Sequence, residues 1–114
     1  MKYKRKFTKR PWGEFQEFAL NEKSTIKIIK VKPRQETSLQ YHINREEMWY
    51  FITSGFIQIG KKRYRKKEGD EVWISKKMPH RLIAGKNELK ILETSFGKFD
   101  EKDEIRLEDK YGRN

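Results

Sequence analysis

Runs of β-branched and aromatic residues, each only long enough for a strand and each closed off by glycine, proline or a polar cluster, follow one another along this chain. They fall at 14–20, 25–32, 48–53, 56–59, 71–74, 81–84 and 89–96, and the breaks include Gly13, Pro33, Gly55, Gly60, Gly69, Pro79, Gly85 and Gly97. Several alternate with the two-residue period of a strand with one buried face. In 26–31 the spacing predicts Ile26, Ile28 and Val31 facing inward and Lys27, Lys30 and Lys32 facing water; Phe56, Gln58, Tyr64 and Lys66 follow a similar pattern. Many short strands, turn signals about every 8 to 12 residues and no long amphipathic helix predict an all-β antiparallel sandwich or small barrel.

The 114 residues suit one domain and exclude two catalytic domains in series. No repeat or linker divides them, so 1–114 is read as a single domain with its core at about 10–98 and a C-terminal arm at about 99–114. In that arm Asp100 is placed to cap a short helical turn at 101–104, ahead of Ile105, Leu107 and Tyr111. The chain has no cysteine, which removes disulfides, thiolate nucleophiles and cysteine-ligated metal; only His42 and His80 offer imidazole. There is no apolar run of the roughly 18 to 20 residues a spanning helix needs, and the start, MKYKRKFTKR, lacks the apolar run of a secretory signal. These features predict a cytoplasmic protein with no membrane partner. Abundant Lys and Glu with sparse Asn and Gln hint at a thermophile.

The net charge of +11 is compatible with a polyanion, a phosphorylated small molecule or plain surface charge. The densest run, 61–67 with Tyr64 inside it, offers stacking and phosphate neutralisation to nucleic acid, but charge on an edge hairpin also blocks strand-to-strand aggregation. The second reading is preferred, and nucleic acid is not the expected partner. Trp12, Trp49 and Trp73 are read as core or dimer-interface aromatics.

The residues with most chemistry lie at 40–47, with Gly55, Gly69, Asp70 and Pro79-His80 further on. On a strand Gln40, His42 and Asn44 share one face, and Glu47, past a bend, can rejoin it. With His80 they form a candidate ligand set of imidazole, carboxylate and amide oxygen for a divalent metal: His42, Glu47, His80, Gln40 and Asn44.

This constellation resembles the two motifs of the cupin superfamily. His42 and Glu47 match the first, with Asn44 in place of its second histidine and Gly55 one residue farther from Glu47 than the motif has it, and Gly69 and His80 match the second, with Ser75 and Lys77 in place of its Pro and Gly. Within cupins the chain is most similar to the type II mannose-6-phosphate isomerases, which also form the C-terminal module of bifunctional mannose-1-phosphate guanylyltransferases. The similarity runs from Arg10-Pro-Trp-Gly13 through Ser38-Leu-Gln40, Arg45-x-Glu47-x-Trp49 and Pro79-His-Arg-Leu82 to the stretch 103–113. Asn44 and Met48 stand where members usually carry histidine.

The resemblance implies a double-stranded β-helix (jelly-roll) barrel and a divalent metal, zinc first, with cobalt, manganese, iron or nickel as alternatives. The implied reaction is interconversion of mannose 6-phosphate and fructose 6-phosphate. The metal would bind the sugar's O1 and O2 while a base moves the proton. Glu47 is a candidate base only if it is not a ligand. Arg106 and Lys110 are candidates to stabilise the developing oxyanion, and Arg106, Arg113 and Gln40 to bind the phosphorylated sugar. Glu108 and Asp109 beside these cations leave surface ion pairing as an equal reading. A homodimer through sheet edges is expected. The alternative function is a non-catalytic cupin that binds a phosphorylated sugar or sugar nucleotide and partners a separate guanylyltransferase; the missing imidazoles favour it.

Overall fold

Strand-length runs closed by turn residues can satisfy their backbone groups only by pairing with one another, and the computed structural model, which describes residues 6–100 and 102–112, is built in that way. The strands are β1 (Lys6–Arg10), β2 (Gly13–Glu17), β3 (Ser24–Val31), β4 (Leu39–Tyr41), β5 (Glu46–Phe51), β6 (Gly55–Ile59), β7 (Lys62–Lys66), β8 (Glu71–Ile74), β9 (His80–Ile83), β10 (Leu89–Phe96) and β11 (Ile105–Glu108). All pairings are antiparallel. β1 and β2 form a hairpin; β3-β10-β5-β8 and β11-β4-β9-β6-β7 form two larger sheets. From β3 onward the chain mostly alternates between those two sheets, the winding expected of a jelly roll. The core lies between them and includes Val31, Trp49, Phe51, Ile57, Ile74, Leu82, Leu89 and Ile91.

The face assigned to β3 is corrected. Ile26 and Ile28 are 59% and 60% exposed, whereas Val31 is 6% exposed. The expected inward set mixed two parities, and a strand admits one. Val31 sits opposite buried Leu89, so Ile29 and Lys27, opposite Ile91 and Glu93, share its inner face. Trp49 is a core residue, but Trp12, 74% exposed, is not: it lies at the hairpin turn, stacked on Phe15 at 6.5 Å. Trp73 stacks on Phe96 and donates to Glu46 Oε2 at 3.1 Å.

The arm adds β11 to the edge of the five-stranded sheet, beside β4. The helical turn expected at 101–104 is not seen over 102–104, and Glu101 lies outside the described residues. Asp100 Oδ1 accepts from Lys102 N–H and its carbonyl from Asp103 N–H, both at 2.9 Å.

Two motif glycines have different reasons. A Cβ on Gly55 would meet Leu89 Cδ1 at 2.7 Å, inside the packed core. Gly69 has φ +90°, a left-handed conformation that lets the 67–70 turn lead into β8.

Candidate metal centre

β4 ends at Tyr41, and 42–45 form a loop rather than a continued strand. Asp103, some 60 residues away, holds that loop. Its carboxylate accepts from Ile43 N–H at 2.8 Å and Asn44 N–H at 2.9 Å, and its carbonyl accepts from His42 Nδ1–H at 2.6 Å. Desolvation works against ionisation of Asp103, but the two amide hydrogen bonds, with help from His42 and Arg45, outweigh it and hold the carboxyl below its ordinary range. With Nδ1 committed to the Asp103 carbonyl, His42 turns its Nε2 inward.

His80 is set in the same way from the other side of the site. Its Nδ1–H donates to Met78 O at 2.7 Å, and burial holds its pKa below the ordinary imidazole value despite that bond and nearby Glu47. Its Nε2 is therefore a bare lone pair. Trp49 packs edge-on against the ring at 5.1 Å.

Glu47, on the inner face of β5, completes the group. Its Oε1 is 3.7 Å from both His42 Nε2 and His80 Nε2, and the three candidate ligand atoms lie within 4.8 Å of one another. All three residues are at most 2% exposed. Glu47 Oε1 and His80 Nε2 have no hydrogen-bond partner. Two buried acceptors left in that state cost about 1–3 kcal/mol each, and both aim at one point. A cation there would satisfy them: 3.7 Å is close to the edge of a tetrahedron, roughly 3.4 Å, for ligand bonds of about 2.1 Å. The donor set fits a divalent metal.

Arg45 supplies positive charge of its own. Buried, it donates from Nε to Glu47 Oε2 at 2.9 Å and from Nη1 to Asp100 O at 3.2 Å; Nη2 lies 3.3 Å from His42 Nε2. Phe99 covers the guanidinium, 4.4 Å from ring centroid to Cζ. His42 Nε2 is thus the one ligand atom of the three already engaged.

Of the residues singled out from sequence, His42, Glu47 and His80 come together. Asn44 is exposed on the loop, because the strand that would have turned it inward stops at Tyr41. Gln40, opposite His80 in the sheet, places its amide between Ser38 Oγ at 2.7 Å and the Glu104 carboxylate at 3.1 Å. Arg106 pairs with Glu104 at 2.8 Å. Gln40 and Arg106 line a cleft of about 700 Å³, with Lys30, Lys32, Ser38 and Tyr111 also on its wall. The three buried ligand residues are not on that wall. Lys110 is exposed, its Nζ 5.6 Å from the Tyr111 ring centre, and Arg113 lies outside the described residues.

Sequence reasoning assigned no role to Arg45, Asp103, Glu93 or Ser95. Arg45 was within reach, two positions from Glu47. Asp103 lies in the stretch 103–113 that carries the resemblance, with no role attached to it there; Ser95, whose Oγ is 3.3 Å from Glu47 Oε2 and 3.1 Å from Glu93 Oε1, and Glu93 itself carry no local signal, since the β5–β10 register brings them to the site.

The sequence matches the family model described as mannose-6-phosphate isomerase C-terminal over residues 2–109. The alginate biosynthesis protein AlgA of Pseudomonas aeruginosa is 37% identical over 108 residues, 91% of this chain and 22% of AlgA. A mannose-1-phosphate guanylyltransferase of Salmonella montevideo is 37% identical over 109 residues, 92% of this chain and 23% of that protein. The chain therefore spans less than a quarter of the length of these relatives. In fold it is similar to a cupin protein of Bacteroides fragilis, with TM-score 0.61 and 18% identity over 73% of this chain and 74% of the other.

Proposed function

The chain belongs to the mannose-6-phosphate isomerase C-terminal family, and on that premise we propose that it is a metal-dependent aldose–ketose isomerase interconverting mannose 6-phosphate and fructose 6-phosphate. The observation that carries this reading is the pair of buried, partnerless acceptors, Glu47 Oε1 and His80 Nε2, turned toward His42 Nε2. These three residues would hold the metal, zinc first among the candidates. When bound, the metal supplies Lewis-acid stabilisation of negative charge on the sugar oxygens. The chain's own part is to fix both imidazoles with Nε2 turned inward, through Asp103 O and Met78 O. Gln40 and Arg106 are proposed to bind the phosphorylated sugar, and Arg106, with Lys110 and Arg113 at the end of the arm, to balance its charge. The reading includes a cytoplasmic location, a homodimer, and partnership with a separate guanylyltransferase where none is fused; sedimentation of the chain with and without such an enzyme checks both associations.

A second reading, a non-catalytic cupin that binds the same sugar phosphate, is favoured by Arg45 Nη2 lying against His42 Nε2 and by the exposure of Asn44. One experiment separates the two. Metal-stripped protein is incubated with mannose 6-phosphate in deuterated water, zinc, cobalt, manganese, iron or nickel is added separately, and NMR follows fructose 6-phosphate and deuterium at C2. Metal-dependent conversion is expected. Binding without conversion or exchange under any metal would replace the isomerase with the binding module.

A further inference from the structure

The cleft lined by Gln40 and Arg106 is made where the C-terminal arm folds back on the body. The arm supplies Glu104 and Arg106 to one side; Lys30, near the end of β3, and Lys32, just past it, stand on the other. Tyr111 Oη–H donates to Gln35 Oε1 at 2.6 Å and fastens the arm across. A volume of about 700 Å³ is that of a small-ligand site.

The charges on this wall do not cancel. Of its two carboxylates, Glu36 is neutralised at 2.8 Å by Arg81, which is not on the wall, and Glu104 is held by Arg106 at 2.8 Å and by the Gln40 amide at 3.1 Å. Lys30 and Lys32 are exposed and, among the described residues, pair with no carboxylate. The two positive charges left over match the roughly −1.5 to −2 that a phosphate monoester carries at neutral pH.

Register says how such a ligand lies. Arg106 is opposite Gln40, and Gln40 is opposite His80, so the three side chains stand in one row on the inner face of β11, β4 and β9. Two strand spacings of about 4.8 Å put the Arg106 backbone roughly 10 Å from that of His80. A single small ligand can therefore run from the cleft past Gln40 toward the candidate metal centre.

We propose that the cleft is a phosphate-binding subsite: Lys30, Lys32 and Arg106 hold the phosphate of a hexose 6-phosphate whose C1 and C2 point toward His80, and Glu104 is a placeholder that positions Arg106 until the phosphate replaces it. This rests on the isomerase reading and deepens it, because there the reacting carbons and the phosphate are at opposite ends of the sugar. Arg106 presents a fork of donors to the phosphate oxygens, and the lysines add two point charges at the rim. Neither lysine touches a reacting atom. Their part is to select the phosphorylated sugar over the free one.

Calorimetry on the metal-free full chain tests this without turnover. Mannose 6-phosphate should bind about tenfold or more tighter than mannose, the gain expected of hydrogen bonds to a charged group. Lys30→Gln combined with Lys32→Gln should erase that preference and leave zinc affinity unchanged; both side chains are exposed, so the fold should be kept, as circular dichroism would show. Glu104→Gln should tighten mannose 6-phosphate binding, since Arg106 then has no carboxylate to leave. Inorganic phosphate should compete more weakly than the sugar phosphate, because it cannot extend along the row; equal affinity would make the cleft a site for the free ion and overturn the proposal. So would a double lysine variant that binds mannose 6-phosphate like the wild type, a wild type with no preference for the phosphorylated sugar, or a Glu104→Gln variant whose binding does not tighten. The two readings fail separately. Lysine-dependent binding with no conversion under any metal keeps the subsite and removes the isomerase, whereas conversion with an unchanged KM in the double variant keeps the isomerase and removes the subsite.

Discussion

Glu47 divides its work between two oxygens, Oε2 held by Arg45 and Ser95, Oε1 left toward the two imidazoles. Glu47→Gln keeps the shape and removes the charge. Zinc affinity, measured by competition with a chelating dye, should fall by more than the roughly 10–100-fold that loss of an outer partner costs. The variant also strands the Arg45 guanidinium, so denaturant unfolding should register a loss of about 3–5 kcal/mol. His80→Ala should weaken zinc binding without stranding a charge. Glu93 makes a prediction of opposite sign to an ordinary carboxylate. Its pKa is 4.5 in the reference state and about 7 when folded, so between these values the folded protein holds the extra proton. Its contribution is complete below about 4.5 and is lost as pH rises through about 7. Glu93→Gln should flatten that limb of the stability–pH curve, read from melting temperatures of metal-free protein. His42, Glu47 and His80 were legible as candidate ligands because each is a residue type that binds metal and each falls at a motif position. Glu93 was not, because a carboxylate in a run of strand residues looks like solvent-facing charge until pairing shows which face is inward.

β10 and the C-terminal arm carry the element-scale consequences. Gly55 opens β6 where Leu89 opens β10, and there is no room between them for a methyl group. Gly55→Ala should destabilise the fold by about 1–3 kcal/mol in urea, the usual cost of overpacking a core. The arm is held to the centre through Asp103 as well as by β11. Asp103→Ala removes the acceptor for two loop amides while leaving the carbonyl that fixes His42. Zinc affinity should then fall by about 10–100-fold while the circular dichroism of the sheets stays unchanged. Most strands could be read from periodicity to within a residue or two, since turn residues mark their ends. The faces of β3 could not, because Ile26 and Ile28 outbid Val31 by count, and only the pairing with Leu89 and Ile91 shows which parity is buried. Asn44 failed for a related reason: the strand that should have aimed it inward gives way to a loop that Asp103 holds in place.

At the scale of the whole molecule the candidate centre joins both sheets. His80 opens β9 and His42 follows β4 in the five-stranded sheet, whereas Glu47 comes from β5 in the four-stranded sheet. A cation shared by them ties the two layers together and binds only the folded chain. Zinc at about 100 times its dissociation constant should add roughly 2.7 kcal/mol, a rise of roughly 10 °C in melting temperature that a chelator reverses. An unmoved melting temperature would count against a metal at this site. The amino-acid sequence by itself determined the all-β class, the strand spacing, the absence of cysteine chemistry and the three residues able to bind metal, because these depend on residue type and short-range periodicity. Tertiary structure alone decided which face of β3 is buried, that Arg45 reaches His42 while Asn44 does not, and that Asp103, Glu93 and Ser95 belong to the site. Those outcomes depend on register and on contacts between residues dozens of positions apart, which local pattern does not encode.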